Sequence, residues 1–271
     1  HALAARRWGH TSTIATTDAW DMSWLVSRRG QHLEPGTLEH EGVEIRRFPV
    51  AHPPLQHLLR GLLRRLLPGG PDRFFFPNPL VPAMARWMRR ERGYDFVHAN
   101  ALPSMLYMGY RYALRNGIGL VAVPHANVGE RYRRARAVSY FRGAAERVLL
   151  SSSFVVAQSV FEAGLYREIG VPEERLMVLG SGIDPKELKA AADRSEALGL
   201  KGPVILGLTA HCRDKGSMDL LQASLALWRS GVEHTLVLAG PVMPDMEEAL
   251  LREGEEVPPG RLVVTGYLRQ E

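Results

Sequence analysis

PVILGLTAHCRDKGSMDLLQASLALWRS, residues 203–230, decides the fold. Its opening is a short apolar run, VILGLT (204–209), that reads as a strand, and its close, 217–230, reads as a helix. Between them lie His211, Arg213 and Lys215. The helix begins near Gly216 or Ser217, where unpaired N–H groups leave partial positive charge. Cations beside such a terminus suit a phosphate or diphosphate, at the strand end where α/β sheets bind ligands. A solvated βα turn with chance basic residues is the other reading. No G-x-G-x-x-G and no P-loop is present, so the usual nicotinamide and ATP fingerprints are absent.

The same alternation extends in both directions. Residues 12–17, 43–48, 95–100, 119–125 and 154–159 read as strands, and 56–67, 82–92, 103–116, 142–152 and 160–170 as helices. Gly117 and Gly170 stand where helix C-caps belong. Beyond 217–230, strands are expected at 234–240 and 261–266 and a helix at 245–254. The pattern implies an α/β protein of two units, each a mostly parallel sheet flanked by helices. The first domain is assigned to 1–184 and the polar, charged stretch 185–202 to a linker. The second domain, 203–271, has too few strands to cover a parallel sheet, and HALAARRWGH (1–10) reads as a helix with no strand before it. The chain is therefore expected to start one strand late and stop inside its second domain.

Composition narrows the function classes. A chain of 271 residues, 45% hydrophobic and 23% charged, is that of a soluble globular protein. The single cysteine, Cys212, excludes an intramolecular disulfide and a cysteine-based zinc cluster, and no metal site is expected. No apolar run is long enough to span a membrane, and a cytoplasmic location is expected. The net charge of +5 suits anionic partners but is too diffuse for a nucleic acid. Cys212 lies among basic residues, but no partner residues make it a nucleophile.

Several stretches together resemble one family. ERVLLSSSFVVAQSVFEAGLYREIGVPEERLMVLGSGID (146–184), KGSMDLLQASLALW (215–228), HTLVLAGP (234–241) and RLVVTGYL (261–268) are similar, in order and spacing, to the family 4 glycosyltransferases. Those are retaining enzymes of the GT-B fold. The resemblance implies two Rossmann-like domains facing across a cleft, with a nucleoside-diphosphate sugar on the C-terminal one and a hydroxyl acceptor on the N-terminal one. No cofactor beyond that donor is implied. Lys215 matches the lysine that holds the donor diphosphate, with Arg213, His211 and Gly216 around it. Fixed cations there would stabilise the charge of the departing diphosphate. The family places an arginine five residues before that lysine, where this chain has Ala210. Arg213 or His211 would take over, or donor binding would be weakened.

The resemblance also puts His125, at the end of VPH (123–125), near the transferred sugar as the candidate catalytic group. A histidine capping a strand end is the bland alternative. His98 and Asn100 end the preceding strand and face either the acceptor or nothing in particular. Gly182 and Asp184 of GSGID (180–184) border the cleft or form a simple turn. Gly240, Gly266 and Tyr267 end the last two strands, where the family's loops approach the nucleotide. LQHLLRGLLRRLL (55–67) reads as a basic amphipathic helix. It either packs on the core or docks on an anionic membrane at its inner face, which would suit a lipid-linked acceptor. The family's acidic donor-binding motif has no counterpart before Glu271, so these 271 residues alone are expected to be inactive or severely impaired. Two rival functions stay open: a noncatalytic GT-B module binding nucleotide or protein, and a nucleotide-sugar epimerase.

Overall fold

A computed structural model describes residues 1–28, 30–53, 79–101, 104–125, 144–182, 199, 200 and 202–267. Backbone proximity divides the chain into two units, His1–Gly182 and Ile183–Glu271. The basic sequence 55–67, Asp184 and nearly all of 185–202 lie outside the described residues.

The first unit opens with α1 (Ala2–Arg7), β1 (Thr13–Thr17) and the short α2 (Met22–Val26). A hairpin follows, β2 (Gly36–His40) and β3 (Val43–Phe48). β3 is the centre of a three-stranded sheet, parallel to β1 and antiparallel to β2. The antiparallel β2 is a hairpin strand that the sequence reading did not include. Its cause is local: His40 pairs with Val43, leaving Glu41 (φ 48°) and Gly42 (φ 75°) as a two-residue loop. Two successive positive φ angles make the turn whose twist matches paired strands.

After α3 (Pro82–Arg90) comes a second sheet, β4 (Phe96–Asn100), β5 (Gly119–Val123), β6 (Phe154–Ala157) and β7 (Leu176–Val178), all parallel and in that order. Its connecting helices are α4 (Ser104–Asn116), α5 (Ala144–Ser151) and α6 (Val160–Ile169). The core is mostly aliphatic around one tyrosine: Leu106 and Ala113 of α4, Val148 and Leu149 of α5, and Tyr166 of α6 pack on Ala99, Leu120, Ala122 and Val155. α6 shows why these boundaries fall where they do. Ser159 accepts from the Glu162 amide, the Glu162 carboxylate accepts from the Gln158 amide, and Gly170 closes the helix at φ 99°. A smaller core of Val50, Val81 and Met84 joins the first sheet and α3 to Met105 and Met108 of α4.

The second unit is β8 (Val204–Leu208), α7 (Ser217–Arg229), β9 (Thr235–Ala239), α8 (Pro244–Glu253) and β10 (Leu262–Gly266). Its strands are parallel, with β9 in the middle. β9 is buried along its whole length. Leu221 and Leu225 of α7 and Met246 and Ala249 of α8 pack on Leu236 and Leu238.

Candidate functional site

The turn after β8 separates the three cations expected to act together. His211 is wholly buried (0% exposed), whereas Arg213 and Lys215 are exposed. Gly207 makes room for the imidazole: a Cβ there would lie 3.0 Å from His211 Cε1. His211 Nδ1 is 3.2 Å from the Ser217 hydroxyl, at the first residue of α7. The His211 amide donates to Pro241 O at 2.8 Å, and His211 O accepts from the Met243 amide at 2.9 Å. This side chain is a brace inside the unit rather than a third outward cation.

Between that brace and α7, residues Arg213–Lys215 form one 3-10 turn. The Cys212 carbonyl accepts from the amides of both Lys215 and Ser217. Gly216 takes the left-handed conformation (φ 73°), and no side chain caps α7. The Arg213 amide donates to Asp245 in the first turn of α8 at 2.9 Å. The Arg213 and Lys215 side chains enter no ion pair among the described residues. Two exposed cations therefore stand beside a helix N-terminus that no side chain caps, an arrangement that attracts an anion.

The neighbouring strand ends are laced to this turn. The Thr209 amide donates to Ala239 O, and the Gly240 amide donates to Gly266 O at 2.8 Å. Gly240 has φ 128°, and a Cβ on it would fall 2.0 Å from Thr209 O, so only glycine fits. Gly266 (φ 66°) leads to Tyr267, which is 68% exposed. The structure thus brings Lys215, Arg213, Gly216, Gly240, Gly266 and Tyr267 to one edge of one sheet.

In the first unit, Asn100 ends β4, His98 lies in the middle of that strand, and His125 follows β5. Burial, with the imidazole of His125 adding, holds His98 below the ordinary imidazole range. The His1 and His98 rings meet edge to face at 5.3 Å. His125 is exposed with φ 49°, a left-handed conformation that costs a non-glycine residue about 1–3 kcal/mol. Such strain clusters at ligand-binding positions. A Cβ on Gly182 would meet nothing within 4 Å, so packing places no demand for glycine there.

Sequence reasoning missed a second group in this unit, at the ends of β1 and β3. Asp18 is buried and accepts from Trp24 Nε1 and the Val50 amide, both at 3.0 Å. Trp24 stacks on His32 at 4.1 Å and meets His52 edge-on at 5.0 Å. Both ring nitrogens of His52 are buried without a partner. Burial first, then the Arg28 charge, push its pKa down against the pull of Asp18. The one available signal was an acid directly after the apolar run of β1. Among the described residues no cluster of three or more His, Cys, Asp or Glu side chains is placed to hold a metal ion.

A family model for Glycosyltransferase Family 4 matches residues 2–187, more than half of the chain. The chain belongs to glycosyltransferase family 4. Solved structures agree on the fold of this family 4 chain. It is similar to a sucrose-phosphate synthase from Thermosynechococcus elongatus, with 16% identity, TM-score 0.62, and coverage of 99% of this chain and 63% of that one. It is also similar to a trehalose-6-phosphate synthase, with 13% identity, TM-score 0.61, and coverage of 94% and 73%. Anabaena Alr3699/HepE in complex with UDP matches with 12% identity, TM-score 0.57, and coverage of 96% and 70%. Against the same Anabaena protein bound to UDP-glucose, coverage is 83% of this chain and 56% of that one. The chain thus spans a little over half to under three quarters of these proteins' lengths. No curated protein matches. The fold is that of the GT-B glycosyltransferases, with parallel sheets flanked by helices.

Proposed function

We propose that this family 4 glycosyltransferase chain takes a nucleoside-diphosphate sugar and transfers its sugar to a hydroxyl acceptor with retention of configuration. The observation that carries the reading is the pair of exposed cations, Arg213 and Lys215, without an ion pair among the described residues, at the N-terminus of α7, which has no side-chain cap. When the bond from sugar to diphosphate breaks, negative charge grows on the leaving oxygen. Cations and backbone N–H groups already fixed there stabilise that charge with no reorganisation. His211, buried and bonded to Ser217, holds the first residue of α7 in register. Gly240 and Gly266 keep bulk away from the nucleotide, and exposed Tyr267 offers its ring or backbone to the base. His125 is assigned to the sugar: its imidazole is exposed, and its strained backbone argues for a role beyond capping.

Uridine is the first base to try, since the Anabaena structures hold UDP and UDP-glucose. The test is calorimetric titration with UDP, comparing the native chain with Lys215→Ala. Loss of one charge-assisted bond lowers affinity about tenfold or more. Unchanged affinity removes the basic turn from the site. A transfer assay with UDP- and GDP-sugars then separates transfer from binding alone, the outcome that Ala210 would favour if the missing arginine matters.

A further inference from the structure

We infer that the outer surface of α3, α4 and α5 docks on an anionic lipid bilayer. α3 touches α4 and α4 touches α5, so the three helices form one layer on the sheets of the first unit. The inner side of that layer is buried through Met84, Leu106, Ala113, Val148 and Leu149. Its outer side follows one spacing in all three helices: Arg86, Arg89 and Arg90; Arg111, Leu114 and Arg115; Arg147, Leu150 and Ser151. Residues at i, i+3 and i+4 share one face of a helix. All six arginines are exposed, and none enters an ion pair among the described residues. The three helices carry a single carboxylate, Glu146, which is half-buried. A layer this one-sided is more than a solvated face, because ordinary surfaces intersperse both signs.

The shape and the apolar content select the occupant. Three helices side by side present their charges on one side rather than around a projecting reading element. The apolar side chains on the outer arcs are aliphatic, Leu114 at 66% exposed and Leu150 at 36%. Leucines among arginines match a headgroup layer with acyl chains beneath it. A single-stranded nucleic acid calls instead for aromatic platforms interleaved with the cations. The surface lies in the first unit, away in sequence from the basic turn, so it stands or falls independently of nucleotide binding.

The experiment is flotation of the whole 271-residue chain with phosphatidylcholine vesicles, with and without phosphatidylglycerol. The expected result is binding to the anionic vesicles only, weakening as salt rises. Each arginine near the surface is worth about fivefold in partitioning, so Arg86→Gln, Arg89→Gln and Arg90→Gln together lower it about a hundredfold. Should that variant fold poorly by circular dichroism, the pair Arg111→Gln and Arg115→Gln on α4 replaces it, with a loss of about twenty-five-fold. The comparator is Arg60→Gln, Arg64→Gln and Arg65→Gln within residues 55–67. Equal binding to neutral vesicles overturns the proposal. So does loss confined to the comparator, or a DNA duplex that displaces the vesicles. UDP affinity unchanged in the helix variants shows that the two surfaces act separately.

Discussion

The strand ends of the two units are built in opposite ways. In the second unit, β8, β9 and β10 continue past their last residues as a backbone ladder, Thr209 to Ala239, His211 to Pro241 and Gly240 to Gly266. Its histidine is buried, and its left-handed residues at 216, 240 and 266 are all glycines. In the first unit, Ala101 (φ 65°) and His125 (φ 49°) bear positive φ without being glycine, and His125 is exposed. One edge is a rigid cradle in which glycine relieves the geometry. The other keeps a strained imidazole where it meets solvent. A rigid frame suits a group whose charge must be met by fixed dipoles, such as a diphosphate. A strained, exposed side chain suits a group that must be presented rather than cradled.

The largest effect expected from breaking this contrast is at Gly240. Gly240→Ala sets a Cβ against Thr209 O at 2.0 Å and should cost about 3 kcal/mol, read from urea unfolding. The paired substitution Gly182→Ala meets no atom and should stay within about 0.5 kcal/mol. Equal costs would dissolve the idea of a glycine-dependent ladder. Next comes His211→Ala, which removes a fully buried ring and its bond to Ser217. The expected loss is about 2 kcal/mol, with faster amide exchange along β9. A smaller change of opposite sign is expected in the other unit. His125→Gly should stabilise by about 0.5–1 kcal/mol by relieving the positive φ, while lowering sugar transfer. Destabilisation there would show that the backbone bears no strain.

The gentlest probe is pH. His98 and His52 both have pKa values held down, chiefly by burial. The unfolded chain therefore binds more protons than the folded one, and stability rises with pH. The first unit should be fully stable above the ordinary imidazole pKa and lose stability as pH falls through it toward the depressed folded values. His52→Asn should flatten that profile in thermal melts; an unchanged slope would assign the effect elsewhere.

Much of the βα alternation was legible because short apolar runs with β-branched residues, such as VILGL and LVLA, read as strands, although only the second is buried along its length: Val204, Leu206 and Leu208 of β8 are exposed. β2 escaped because its residues, GTLEH, are mostly polar and exposed. The Glu41–Gly42 turn, two residues between two runs, was the clue that could have found it. In the basic turn, the charges were legible but their directions were not. The burial of His211 depends on Gly207 lacking a side chain and on loop 241–243 closing over it, contacts between residues four and some thirty positions away. The Asp18, Trp24 and His52 group was hidden for a similar reason, since Val50 and His52 reach Asp18 only once β3 lies beside β1.

Cys212 offers a practical handle on all this. It is the chain's sole thiol, half-buried, and its carbonyl ties Lys215 and Ser217 together. A fluorophore or spin label attached to it would sit within three residues of Lys215 with no engineered cysteine and no competing attachment point, so occupancy of the turn becomes a spectroscopic signal in otherwise native protein.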